Sequence, residues 1–185
     1  MNVFTQKRHT GKLAIAATSI LSAVAAHAAD VTAPKMMLTA YINGAGGEKV
    51  MAGKFDEALT EIKKARYVAS DEYTAKITNQ CVAYAATKLL PQAKSSCDEA
   101  LRAAKADRMG ALRYSSGASI QNGYLAIAYA NRAVVQMMAK NPDAAKSDMA
   151  RAKSLAPDAG FVSQNLLAME TSASKIAQIN AVPAR

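Results

Sequence analysis

A chain of 185 residues is enough for one domain. It has no tryptophan and only two histidines, His9 and His27, and carries a formal net charge of +9. Both histidines fall in the leader described next. What remains can build neither a Ser-His-Asp nor a Cys-His nucleophilic centre, and it lacks the commonest transition-metal ligand.

Residues 1–28 read as a secretory signal peptide. Lys7, Arg8, His9 and Lys12 form a basic start, residues 13–26 an apolar run, and Ala26-His27-Ala28 the small-residue cleavage site. The run is about 14 residues, too short to cross about 30 Å of hydrocarbon as a helix, so no stable membrane anchor is expected. No cysteine lies near the site, which excludes a lipoprotein anchor. Cleavage between Ala28 and Ala29 removes Lys7, Arg8 and Lys12 but no acid, taking the net charge from +9 to +6. The remaining charges are dispersed. The densest basic run, Lys63, Lys64 and Arg66, reads as a solvated helix face and not as a nucleic-acid surface, because no binding motif accompanies it. The expected compartment is the bacterial periplasm, which is oxidising.

Residues 29–47 have the composition of a poorly structured segment, with Pro34, Gly44, Gly46 and Gly47 opposing a long helix. Residues 48–177 have helical periodicity almost throughout, rich in alanine, leucine and methionine. Breaks near Gly53, Leu90-Pro91, residues 107–123, Asn141-Pro142 and residues 157–160 divide them. Helices of roughly 12 to 16 residues joined by short breaks imply antiparallel hairpins. Residues 178–185 form a flexible tail.

The helices repeat. "GKFDEALTEIKKA" from Gly53, "KLLPQAKSSCDEA" from Lys88 and "KNPDAAKSDMARA" from Lys140 align on pairs of alanines seven residues apart. The pairs are Ala58 and Ala65, Ala93 and Ala100, Ala145 and Ala152, with Ile62, Cys97 or Met149 between them. Upstream, "NQCVAYAATK" from Asn79 matches "NRAVVQMMAK" from Asn131, and Asn165 follows Asn131 by 34 residues. Small residues let paired helices approach to about 8 Å, and a leucine there would overpack the contact at about 1–3 kcal/mol. The spacing has one irregularity: Ala93 to Ala145 is 52 residues, one period of 34 plus 18, with the excess in residues 106–124. That insertion is either a loop or an extension of the following helix.

These residues resemble the tetratricopeptide repeat, a helix-turn-helix of 34 residues. The family pattern has a small residue within the first helix, here Cys81 and Ala133, an aromatic near its end, here Tyr84, and a closing proline, here Pro157. The resemblance implies an all-α fold, a short α-α superhelix of antiparallel hairpins with a C-terminal capping helix. Repeats would span about 39–72, 74–107 and 126–159, with the cap at about 160–177. The first repeat fits poorly because its first helix is laden with glycine.

The resemblance also implies a concave groove lined by first helices that binds a peptide or helix of a partner protein. By position, the groove takes Thr78, Asn79, Val82 and Ala86, then Ile127, Ala130, Asn131, Val134 and Met138, then Phe161, Gln164 and Asn165. The recurrent asparagines either bond an extended peptide backbone or tie neighbouring helices together. In the first case Asn131→Asp should weaken capture and leave melting almost unaltered. The family's carboxylate clamp does not transfer, since Ile127 and Asn131 stand where its cations would sit.

In the same alignment Cys81 and Cys97 lie on the two helices of one hairpin, eight residues either side of Leu89. A structural disulfide is favoured there over two free thiols, and it would close a loop worth roughly 3 kcal/mol. Met137, Met138 and Met149 read as core filling more than as contact surface. Asp56, Glu57, Glu61, Asp98 and Glu99 mostly fall in the first turns of second helices, where they complement the helix dipole. "GAGG" at Gly44 lacks the lysine and preceding strand of a phosphate loop. The expected function is a periplasmic interaction module, an adaptor or assembly factor without catalysis or cofactor. The alternatives are a self-associating structural protein and a thiol-dependent enzyme.

Overall fold

The computed structural model describes residues 34–66, 70–113 and 118–180, and all regular structure among them is helical. The signal segment, the cleavage residues Ala28 and Ala29 and residues 181–185 lie outside the described residues. In chain order the described helices are α1 (Gly47–Met51), α2 (Phe55–Lys64), α3 (Ser70–Ala86), α4 (Leu90–Arg113), α5 (Ala118–Met138), α6 (Pro142–Leu155) and α7 (Gly160–Asn180).

Local chemistry accounts for these elements. Phe55, Ala58, Leu59 and Ile62 recur at helical spacing, and α2 buries Ala58 and Ile62. Asp56 and Glu57 in its first turn and Lys63 and Lys64 in its last suit the helix dipole. Helix α6 opens on Pro142, whose missing N–H costs nothing in a first turn, followed by Asp143.

The turns into α2, α4 and α6 are one turn made three times. Gly53, Lys88 and Lys140, the first residues of the aligned segments, have φ of 74°, 62° and 60°. Each donates its N–H three residues back: Gly53 to Val50 O, Lys88 to Ala85 O and Lys140 to Met137 O, all at 3.0 Å. The next residue donates five back: Lys54 to Lys49 O, Leu89 to Tyr84 O and Asn141 to Gln136 O, at 2.8, 3.0 and 2.9 Å. This is a left-handed C-terminal cap that satisfies otherwise orphaned carbonyls.

Helices α3 and α4, α4 and α5, and α5 and α6 pack along their lengths, while α5 also touches α3 and α7. Ala58, Ala93, Ala145 and Ala152 are fully buried and Ala100 nearly so. Ala65 departs from the alignment. It is the extended residue that ends α2, and its carbonyl accepts a bond from Lys76 Nζ at 2.8 Å. Cys81 and Cys97 are disulfide-bonded with Cα atoms 4.9 Å apart. Equidistant from Leu89, they show that α3 and α4 run antiparallel.

Residues 106–113 continue α4 and residues 118–124 open α5, so two helices are lengthened instead of one. Helix α4 runs 24 residues and α5 runs 21, beyond the expected range of about 12 to 16. Arg108 Nε donates to Asn122 Oδ1 at 2.8 Å across the extension. Met149 is fully buried, Met137 packs on the core, and Met138 is exposed at the end of α5. Among the described residues no helix is long and apolar enough to cross a membrane.

Candidate functional site

Residues 34–41 form no helix, although they are firmly held. They run extended across the layer made by α3, α5 and α7, and three asparagines hold them. Asn165 Oδ1 accepts the Met37 N–H at 2.5 Å and Asn165 Nδ2 donates to Met37 O at 2.9 Å. Asn131 repeats this on Thr39, at 2.8 and 2.7 Å. Asn79 repeats it on Tyr41, at 2.8 and 2.9 Å, and also donates to Ala45 O at 3.1 Å. Gln164 Nε2 donates to Lys35 O at 3.1 Å.

The period of two has a simple cause. In an extended chain the N–H and C=O of one residue point to the same side, and the next residue's pair points to the other. A carboxamide offers one acceptor and two donors in a plane, so it stands in for the paired edge of a neighbouring strand. Two extended residues advance roughly 6.7 Å, a little less than the roughly 8–10 Å between packed helices. Asn79 on α3, Asn131 on α5 and Asn165 on α7 thus each meet one backbone unit, two residues apart.

Side chains between the clamped positions enter the fold. Met36 packs on the cluster built by α4 to α7 around Leu125, Tyr129, Met149 and Val162. Leu38 packs on both the cluster around the disulfide and Val135 and the cluster of Val50, Ala58 and Val82. Ala40 packs on the last. Lys35 and Met37 face outward.

At its C-terminal end the segment turns sharply into α1. Gly46 has φ of 71°, and a Cβ on Gly47 would lie 2.0 Å from Tyr41 O, so only glycine lets the chain double back there. The Gly46 N–H donates to Glu61 Oε1 at 2.9 Å, and Lys49 Nζ lies 3.1 Å from Glu61 Oε2. The Gly46 bond, followed by Lys49, holds the Glu61 carboxyl below its ordinary pKa, while the bond to Glu61 raises Lys49. Tyr41 meets the Tyr124 ring edge-on, centroids 5.2 Å apart at 88°. Burial, then the neighbouring Tyr124 and Asp107, push its phenol well above the ordinary value. A cleft of about 540 Å³ opens beside it, lined by Tyr41, Gly44, Arg66, Asp71, Ala75 and Tyr124 among others.

The structure thus distributes the groove residues. Asn79, Asn131, Asn165 and Gln164 bond the segment. Val82, Ala130 and Phe161 belong to the clusters on which it packs. Thr78 and Val134 are buried, Ile127 is half-buried, and Ala86 and Met138 are exposed. The asparagines do bond an extended backbone, and it is the chain's own. Asn131 is only 1% exposed, so Asn131→Asp cannot leave melting unaltered; that expectation is corrected.

Two features escaped the sequence reading. The alternation of Met36, Leu38, Ala40 with Met37, Thr39, Tyr41 is a strand-like signal in a segment where Pro34 and the glycines point only away from helix. The other is an ion network behind the ladder. Arg132, next to Asn131, grips Asp148 with Nε and Nη2, each at 2.7 Å, and reaches Asp98 with Nη1 at 3.0 Å. Gln136 Nε2 adds a bond to Asp148 at 3.0 Å, and the bond to Asp148 raises the Arg132 pKa. Asp98 and Glu99 therefore do not serve the first turn of α4: Asp98 ties α4 to α5, and Glu99 accepts the Tyr73 hydroxyl at 3.0 Å and pairs with Arg102. Glu61, in the last turn of α2, is likewise engaged elsewhere. No family model, no curated protein and no solved structure matches this chain.

Proposed function

We propose that this is an exported, non-catalytic interaction module, an adaptor or assembly factor of the bacterial periplasm, built as a short tetratricopeptide-like superhelix. Its groove reads the backbone of an extended polypeptide. The observation that carries this reading is the triple, evenly stepped clamp of Asn79, Asn131 and Asn165 on alternate residues of one extended segment. The three identical turns at Gly53, Lys88 and Lys140 favour a repeat array. The disulfide is in keeping with an oxidising compartment. Because every residue type except proline presents the same backbone groups, such a ladder supplies affinity with little choice of sequence. Pockets for alternate side chains supply the choice.

The test is affinity capture of the tagged mature chain from its native envelope, with cross-linking and mass spectrometry. The expected result is one dominant partner, cross-linked near the ladder or residues 106–124, whose recovery falls when a peptide of residues 34–42 is added. Recovery of the chain alone would favour the self-associating structural reading, with no cofactor or enzymatic activity in either case.

A further inference from the structure

Resting on the groove reading above, we infer that residues 35–41 are a resident copy of the ligand. A partner enters by displacing them, through an extended segment with two bulky apolar side chains and one small one at alternate positions. The pattern is written in the contacts. The backbone of positions 37, 39 and 41 is clamped, while Met36, Leu38 and Ala40 fill the clusters beneath. The groove is thus a site for a strand of alternating character, and the size of its side chains falls towards the α1 corner.

The resident copy is imperfect at its centre. Thr39 Oγ1 is buried and makes no hydrogen bond, and neither does the buried Thr78 Oγ1 on α3. An incoming segment with valine in the place of Thr39 keeps the shape and removes one orphaned hydroxyl, so it binds better than the resident. Against that stands the tether. The segment runs straight into α1 through the turn at residues 42–46, which keeps it at high effective concentration. A competitor therefore sees only the open fraction, and its apparent affinity is reduced by that fraction. Weakening the resident raises the apparent affinity for a partner without touching the ladder.

The probe is a fluorescent peptide of residues 34–42, PKMMLTAYI, titrated into the full chain and into its Leu38→Asp variant, with helix content followed by circular dichroism. The variant should bind roughly tenfold or more tightly than the parental chain, and the peptide carrying valine at the Thr39 position should bind tighter still. Thr39→Pro, which removes one clamped N–H, serves as the second variant should Leu38→Asp not fold. Equal binding by parental chain and variant would overturn displacement while leaving the groove a peptide site. A folded variant that binds neither peptide would overturn the groove reading itself. A parental chain that runs as a dimer by exchanging these segments would overturn the partner in favour of a second copy.

Discussion

Asparagine at 79, 131 and 165 does the work of a strand edge, and each is almost fully buried behind the segment it holds. In Asn131→Asp one carboxylate oxygen would replace the donor that now sits 2.7 Å from Thr39 O, setting two acceptors against each other. A buried polar group left without its partner costs about 1–3 kcal/mol, more when charged. Thermal unfolding of Asn131→Asp should therefore come several degrees earlier than in the parental chain, as about 2–4 °C per kcal/mol suits this size. Tyr41 gives a spectroscopic readout of the same seat. Its phenol is raised above the ordinary value of 10.0, so the folded state holds a proton that the unfolded chain loses. Stability from this group is complete below pH 10.0 and declines as the pH rises past it. In a tyrosinate absorbance titration, one tyrosine should ionise late in the parental chain and near the ordinary value in Leu38→Asp.

Among the elements, the second helices were the most legible. The paired alanines predicted close packing, and Ala93, Ala100, Ala145 and Ala152 are buried. Ala152→Leu should lose about 1–3 kcal/mol in denaturant unfolding, and an unchanged midpoint would contradict the packing described. The aligned residues Gly53, Lys88 and Lys140 looked unremarkable apart from the glycine, yet all three hold the same left-handed cap. A lysine pays for that conformation, which costs an L-residue about 1–2 kcal/mol, partly offset by glycine's greater freedom when unfolded. Lys140→Gly should accordingly stabilise the chain by about 0.5–1 kcal/mol. The 18-residue excess was legible in position but not in form, because periodicity alone does not say which flanking helix takes it up. Both do, as α4 and α5.

For the molecule as a whole, the alanine-rich helices gather their described apolar side chains into three clusters. Two devices brace this arrangement, one inside a single cluster and one across them. The disulfide ties α3 to α4 and contributes roughly 3 kcal/mol in the entropic account. The segment at 36–40 lays one side chain after another across all three clusters. The all-α class could be read from helical periodicity and the Cys81–Cys97 pair from its even spacing about Leu89. The recurrence of Asn79, Asn131 and Asn165 was legible, but what they hold was not. The occupant of the groove could not be read, because it meets α5 and α7 across separations of 92 and 128 residues that no local pattern encodes. Its glycines argued for disorder, whereas Gly46 and Gly47 provide the turn that brings it home.

Native-state hydrogen exchange at the amides of Met37, Thr39 and Tyr41 tests this account most directly. Bonded to buried asparagines, these three should exchange slowly and together in the parental chain, and Asn131→Ala should accelerate them while α4 and α6 stay protected. Exchange at the rate of an unstructured peptide in the parental chain would mean that the segment does not occupy the groove.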